Sequence, residues 1–304
     1  MKISLPSASN TKNPLFSILT VSEIMRRKVV SLALTDTIST SIRTLTKHKN
    51  DAVLITDKSG DPAGVVTKTE LMGAYYAGMV LQTELSSIMG SPVISCNEMD
   101  SLESALVTMQ QCLIHRIYVT NQSAQVIGTL SYPDIVGALY RFCWDCKFGH
   151  RKRMQKHDAT KHRYSIKEVM TPSAVSARTE DDITHIIEQL SLSSAGALLI
   201  NDSSDFPVGV ISKTDLALAF CRNVPLVAKA MAVMRAPLRS CSSDSSLEDG
   251  IRQMIMGEIS RIFIYEGETK NIIGILTLSD AARIRSGSCQ ACSSARIKVK
   301  DHDA

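Results

Sequence analysis

Apolar residues recur at helical spacing in two places early in the chain. Ile38, Ile42 and Leu45 follow the polar run TDT, and Leu102, Leu106 and Met109 follow DS. That spacing predicts an amphipathic helix with a hydroxyl or carboxylate cap at its start. After each helix come short β-rich runs, such as AVLIT at 52 and AGVV at 63. The turn DKSGDP separates them, its Asp, Gly and Pro suited to reversing the chain. A second helix is expected at the polar [ST]-x-x-[DE] segment that ends the hairpin, because that spacing also forms a capping box. The predicted order is strand, helix, strand, strand, helix within roughly 60 residues. One such unit is too small to bury both faces of its sheet, so pairing of units is expected.

The pattern recurs four times. VSEIMRRKVVS at 21, LSSIMGSPVIS at 85, IKEVMTPSAVS at 166 and KAMAVMRAPLRS at 229 open alike, with Met25, Met89, Met170 and Met234 in register. GVVTKTEL at 64, GTLSYPDI at 128, GVISKTDL at 209 and GILTLSDA at 274 close alike. Met25 to Met89 and Met170 to Met234 are each 64 residues, and the two halves are offset by 145. This is a duplicated duplication.

Four units of this order, opening with [VI]-x-x-[VI]-M and closing with G-h-h-[ST]-x-x-D (h, apolar), resemble tandem CBS domains. The resemblance covers about residues 21–140 and 164–285. It implies an α/β (α+β) fold of four β-α-β-β-α repeats paired into two pseudo-two-fold (Bateman) modules. The expected divisions are a tail at 1–20, a first pair at 21–146, a linker at 147–163, a second pair at 164–285 and a Cys-containing tail at 286–304.

The resemblance also implies an adenosine-containing regulatory ligand: AMP, ADP, ATP or S-adenosylmethionine. In the family the closing carboxylate receives the ribose hydroxyls and its Ser/Thr lies near the phosphate. Carried over, these are Asp134 with Ser131, Asp215 with Ser212, and Asp280 with Thr277. The first unit has Glu70 with Thr67, one methylene longer, and ranks weakest. A carboxylate suits vicinal hydroxyls because its lone pairs accept two protons, and a helix N-terminus favours an anionic phosphate. Each carboxylate could equally serve only as an N-terminal helix charge. Arg116 and Arg261, just ahead of the second and fourth central strands, offer planar forks for phosphate. The odd units are neutral at the matching step. Lys68 and Lys213 inside the closing motifs are weaker phosphate candidates, since a lysine there is more often solvated, and His115 reads equally as a contact or as a surface or hydrogen-bonded histidine. By the same analogy Val30, Ile94 and Val175 would wall the adenine; alone they read as core strand.

Composition narrows the function classes. The chain has 304 residues, 44% hydrophobic and 21% charged, with a formal net charge of +4, as for an ordinary globular protein. Residues 147–163 hold seven Lys/Arg against Asp158, and the remainder has 27 basic and 29 acidic residues. The basicity therefore sits in one segment, which argues against a body that binds nucleic acid across a face. Nucleic-acid binding through this linker is a further alternative to a solvated one. No apolar leader core or membrane span is expected, so a cytoplasmic location is. No nucleophile elbow, P-loop or H-E-x-x-H is present, so no enzyme is expected. Regulation in trans through a protein partner, with the chain as a homodimer, follows from the family resemblance.

Eight cysteines in such a chain are read as thiols, ligands or redox groups. Cys143 and Cys146 begin nine residues after Asp134, and Cys289 and Cys292 nine after Asp280. Two such C-x-x-C pairs suit a zinc or iron–sulfur site, a redox pair, or plain thiols kept by duplication. A metal- or redox-responsive regulator on a CBS scaffold is the competing function. Cys96 and Cys241 match between halves and read as small buried residues.

Overall fold

The computed structural model describes residues 19–145, 165–269 and 271–283. A short helix α1 (Val21–Ile24) precedes the first unit: β1 (Ser31–Ala33), α2 (Ile38–His48), β2 (Ala52–Thr56), β3 (Pro62–Thr67) and α3 (Lys68–Tyr76). The second contains β4 (Ser95–Asn97), α4 (Leu102–Gln111), β5 (Arg116–Thr120), β6 (Val126–Ser131) and α5 (Tyr132–Asp145). The two-residue strand β7 (Thr171–Pro172) leads into β8 (Ser176–Arg178), α6 (Ile183–Leu192), β9 (Ala197–Asn201), β10 (Pro207–Ser212) and α7 (Lys213–Cys221). The fourth unit is β11 (Ser240–Ser242), α8 (Leu247–Met256), β12 (Arg261–Tyr265), β13 (Ile272–Thr277) and α9 (Leu278–Arg283). The mixed α/β repeat expected from the pattern is present four times.

Local chemistry places each element. The first helix of every unit is capped by a side-chain oxygen: Thr37 accepts from the Thr40 N–H, Ser101 from Ser104, Asp182 from His185 and Ser246 from Asp249. Three hairpins turn on an Asx residue. The Asp57 Oδ1 accepts the Ser59 and Asp61 N–H groups, and Asn121 and Asp202 repeat the pattern. In each sheet the central strand runs parallel to the short first strand and antiparallel to the last. Ser31, Ser95, Ser176 and Ser240 thus sit opposite Leu54, Tyr118, Leu199 and Phe263.

The core joins what the sequence separates. One cluster of buried side chains draws on units one and three, with Ile38, Ile42, Val53, Leu71, Ile186, Leu198, Ile211 and Phe220 among its members. The other draws on units two and four, including Leu102, Met109, Ile117, Ile135, Met254, Ile262 and Leu276. Each cluster therefore crosses between the two halves of the chain. Helix α3 packs on α7, and α5 on α9. Tyr75 and Phe220 stack between α3 and α7, ring centroids 4.9 Å apart and 10° from parallel. The Tyr75 hydroxyl donates to the Val224 carbonyl at 2.5 Å.

Candidate functional site

The Met-bearing turn of each unit does not pack on its own sheet. Arg26 bridges to Thr129 and Gly90 to Val65, so the openings of units one and two are exchanged. In the other half Arg235 bridges to Val210, and Thr171–Pro172 pairs with Gly274 and Ile275. The motif residues Met and Gly meet across this exchange. A Cβ on Gly64 would lie 2.7 Å from the Met89 sulfur and 2.9 Å from the Gly90 carbonyl oxygen. Gly128 faces Met25, Gly209 faces Met234, and Gly274 faces Met170 in the same way. Glycine is required there because neighbouring backbone occupies the space of a side chain. Each pairing brings an opening turn beside the closing motif of the other unit.

In every closing motif the carboxylate is a capping-box residue. One Glu70 oxygen accepts the Thr67 N–H at 2.8 Å, and one Asp215 oxygen the Ser212 N–H at 2.8 Å and Oγ–H at 2.5 Å. Asp134 accepts the Ser131 N–H at 3.0 Å, and Asp280 the Thr277 N–H at 2.9 Å and Oγ1–H at 2.6 Å. The Ser131 and Thr67 hydroxyls donate to Asp134 and Glu70 as well. All four hydroxyls are thereby spent on their own carboxylates. The longer Glu70 reaches the same cap as the aspartates.

The second oxygens divide the clefts. The Asp134 Oδ1 accepts from Arg26 Nε, and the Asp215 Oδ1 from Arg235 Nε. These carboxylates are almost fully buried, at 4% and 5% side-chain exposure, while the arginines are 64% and 58% exposed. Sequence reasoning did not single out Arg26 or Arg235. The signal was present: each directly follows the aligned Met, where the other two openings carry Gly90 and Thr171.

The two expected arginines stand beside the expected hydroxyls. Arg116 is registered opposite Ser131, and Arg261 opposite Thr277; directly opposed residues lie within about 5.5 Å at Cβ. The odd units have Ala52 opposite Thr67 and Ala197 opposite Ser212. Arg116 Nη1 donates to Thr129 Oγ1 at 3.1 Å, whereas its buried Nε has no hydrogen-bond partner among the described residues. Burial pushes Arg261 down from the usual guanidinium value, and Asp51 and Asp215 oppose that shift.

Charges from all four units converge here. Burial alone would raise Asp51, but Lys68, 2.7 Å away, with Arg116 and His115, holds it below the usual carboxylate value. Lys213 donates to Thr69 Oγ1 at 3.0 Å, linking units three and one. Burial pushes Lys213 down, Arg261 adds to that, and Glu70 works against it. Lys68 and Lys213 thus each have a side-chain partner, Asp51 and Thr69. His115 packs edge-on to Tyr132, centroids 5.7 Å apart. Ile94 is half-buried against the core of units two and four; Val30 and Val175 are half-buried against the other.

Cys146, Cys289 and Cys292 lie outside the described residues, as does the side chain of Cys143 on α5. The basic linker 147–163 also lies outside them. Among the described residues no group of three or more His, Cys, Asp or Glu side chains forms a metal-binding cluster. Burial, with Asp100 and Asp249 nearby, pushes the Cys96 and Cys241 thiols up to about 12 and about 11, which keeps them protonated. No described helix is long and apolar enough to cross a membrane.

The model of the CBS domain matches residues 21–77, 85–141, 166–222 and 229–287. The fold is similar to protein MJ1225 from Methanocaldococcus jannaschii, described as a putative archaeal homolog of g-AMPK, with TM-score 0.71 and 16% identity over 87% of this chain and 99% of that one. It is also similar to an uncharacterized conserved protein from Pyrococcus horikoshii, with TM-score 0.56 and 17% identity over 88% of this chain and 99% of that one. No curated protein matches the chain.

Proposed function

The chain belongs to the CBS domain family, and from that premise we propose that it is a non-catalytic regulatory protein sensing adenosine-containing nucleotides: AMP, ADP, ATP or S-adenosylmethionine. The observation that carries this reading is the register of Arg261 with Thr277, next to Asp280. That register supports Arg261 as a phosphate cation beside the closing motif whose carboxylate would take the ribose. Arg116, Ser131 and Asp134 repeat the arrangement in unit two, and the orphaned Nε of Arg116 is a buried donor suited to an anion. Asp280, capped onto the Thr277 N–H, is one candidate ribose acceptor, and Asp134 is another. Asp215 with Ser212 and Glu70 with Thr67 are the remaining candidates, and Ile94 and Val175 would line the base.

Ligand bound between exchanged turns favours one packing of the paired units over another, and the shared cores carry that preference between the halves. The output passes in trans, to a protein partner or a sister chain of a homodimer, in the cytoplasm. Thermal unfolding against AMP, ADP, ATP, S-adenosylmethionine and GMP tests the reading. A ligand at about a hundred times its Kd adds roughly 2.7 kcal/mol to stability, a shift of several degrees at most. Stabilisation by an adenosine ligand and not by GMP is expected; no shift with any of them overturns the reading.

A further inference from the structure

Two of the closing carboxylates, Asp134 and Asp215, hold an arginine from an opening turn. Arg26 and Arg235 each enter from the solvent side and donate Nε–H to the one oxygen of Asp134 or Asp215 that the capping box leaves over. Their backbones are pinned to the same cleft. The Arg26 N–H donates to the Thr129 carbonyl at 2.8 Å and the Thr129 N–H returns to Arg26 at 2.9 Å; Arg235 and Val210 do the same at 2.9 and 3.0 Å. Anchored at the main chain and mostly exposed along the side chain, each guanidinium can swing without disturbing the fold.

Resting on the nucleotide reading above, we propose that Arg26 and Arg235 are specificity-determining gates that make two of the four clefts selective for anionic nucleotides over neutral nucleosides. A ribose that needs both carboxylate oxygens must displace the guanidinium from a nearly buried acid. A neutral nucleoside leaves that guanidinium without its charge partner, and the loss opposes binding. A nucleotide brings a phosphate that takes the guanidinium over, so the ion pair is exchanged instead of lost. The clefts of Glu70 and Asp280 have Gly90 and Thr171 at the gate position, and neither can form an ion pair with the acid. The device therefore belongs to the clefts of Asp134 and Asp215.

Calorimetric titration of the full chain with AMP and with adenosine tests the gate. Removing both guanidinium groups in an Arg26→Gln/Arg235→Gln variant should tighten adenosine in the gated clefts by about ten- to a hundredfold, the worth of one charge-assisted hydrogen bond, and change AMP much less. Because both side chains are largely exposed, the variant should fold, which circular dichroism checks. An AMP-to-adenosine preference that is the same in the wild type and the double variant overturns the gate and leaves the nucleotide reading standing. If neither ligand binds the wild type or any variant, the nucleotide reading falls and the gate falls with it.

Discussion

The Arg261 guanidinium lies directly over Gly196, so that a Cβ at residue 196 would fall 2.3 Å from Nη1 and 2.4 Å from Nη2. A residue of the fourth unit thus depends on the absence of a side chain in the third. Gly196→Ala should displace the arginine or strain the strand, lowering stability by about 1–3 kcal/mol as an overpacked site does. The same variant should weaken AMP more than adenosine, because the displaced group is the one opposite Thr277. Urea unfolding and ligand titration read the two effects separately.

The exchanged turns make a second prediction. Gly128→Ala should destabilise by about 1–3 kcal/mol, since its new methyl would meet both the Met25 sulfur and the Arg26 carbonyl oxygen. Adding Met25→Ala should not restore stability. The carbonyl obstacle remains at 2.9 Å, and a buried methionine has been lost as well. Full rescue in the double variant would mean that only the sulfur contact matters.

The stacked pair between α3 and α7 is a test of how the halves hold together. Tyr75→Phe keeps the ring and removes the hydrogen bond to Val224, at a cost of about 1 kcal/mol. Phe220→Ala should cost about 3–5 kcal/mol, combining the stack with lost core volume. Because both cores cross between halves, urea unfolding should shift as one transition for each variant, monitored by circular dichroism.

Alkaline pH reports on the same residue. Burial holds the Tyr75 phenol up at about 12, against 10.0 for an ordinary one. On raising the pH, the unfolded chain loses this proton first. The associated stability is therefore complete below about pH 10 and is lost as the pH climbs through about 12. Tyr75→Phe should flatten that part of the stability profile. Absorbance titration at the phenolate band follows the ionisation itself.

Much of the architecture was legible because it repeats. The Met, Gly and [ST]-x-x-[DE] positions fixed the order of strands and helices, and the caps at Thr37, Ser101, Ser131 and Thr277 sit where the sequence put them. The exchange of opening turns was not legible. A Met–Gly motif looks the same whether Met25 meets Gly64 or Gly128, since every unit carries both. The cross-half cores were hidden for the same reason: Ile42 and Ile186 have the apolar spacing that either arrangement needs. At the site, Arg116 and Arg261 stood out as cations at strand starts. Arg26 and Arg235 did not, because a basic residue after a turn reads as solvent-facing until its partner acid is seen. Asp51 likewise precedes a strand with no motif around it, yet it neighbours Lys68, Arg116 and Arg261.

Asp51 gives one more expectation. Its carboxylate pairs with Lys68 and is coupled to Arg116 and Arg261, so it competes with any phosphate for them. Asp51→Asn should lower the stability of the ligand-free protein and tighten AMP several-fold, with adenosine little changed. Equal effects on both ligands would show that Asp51 acts through packing and not through charge.

The most direct test of nucleotide sensing is equilibrium dialysis of labelled AMP against the full chain and its Asp280→Ala and Arg261→Ala variants. The wild type should bind AMP saturably, with adenosine-containing competitors displacing it and GMP failing to. Each variant should lose at least one bound equivalent or weaken it by about tenfold or more, the worth of one charge-assisted contact. Binding that is absent from the wild type, or unaltered in both variants, would contradict the assignment of this cleft.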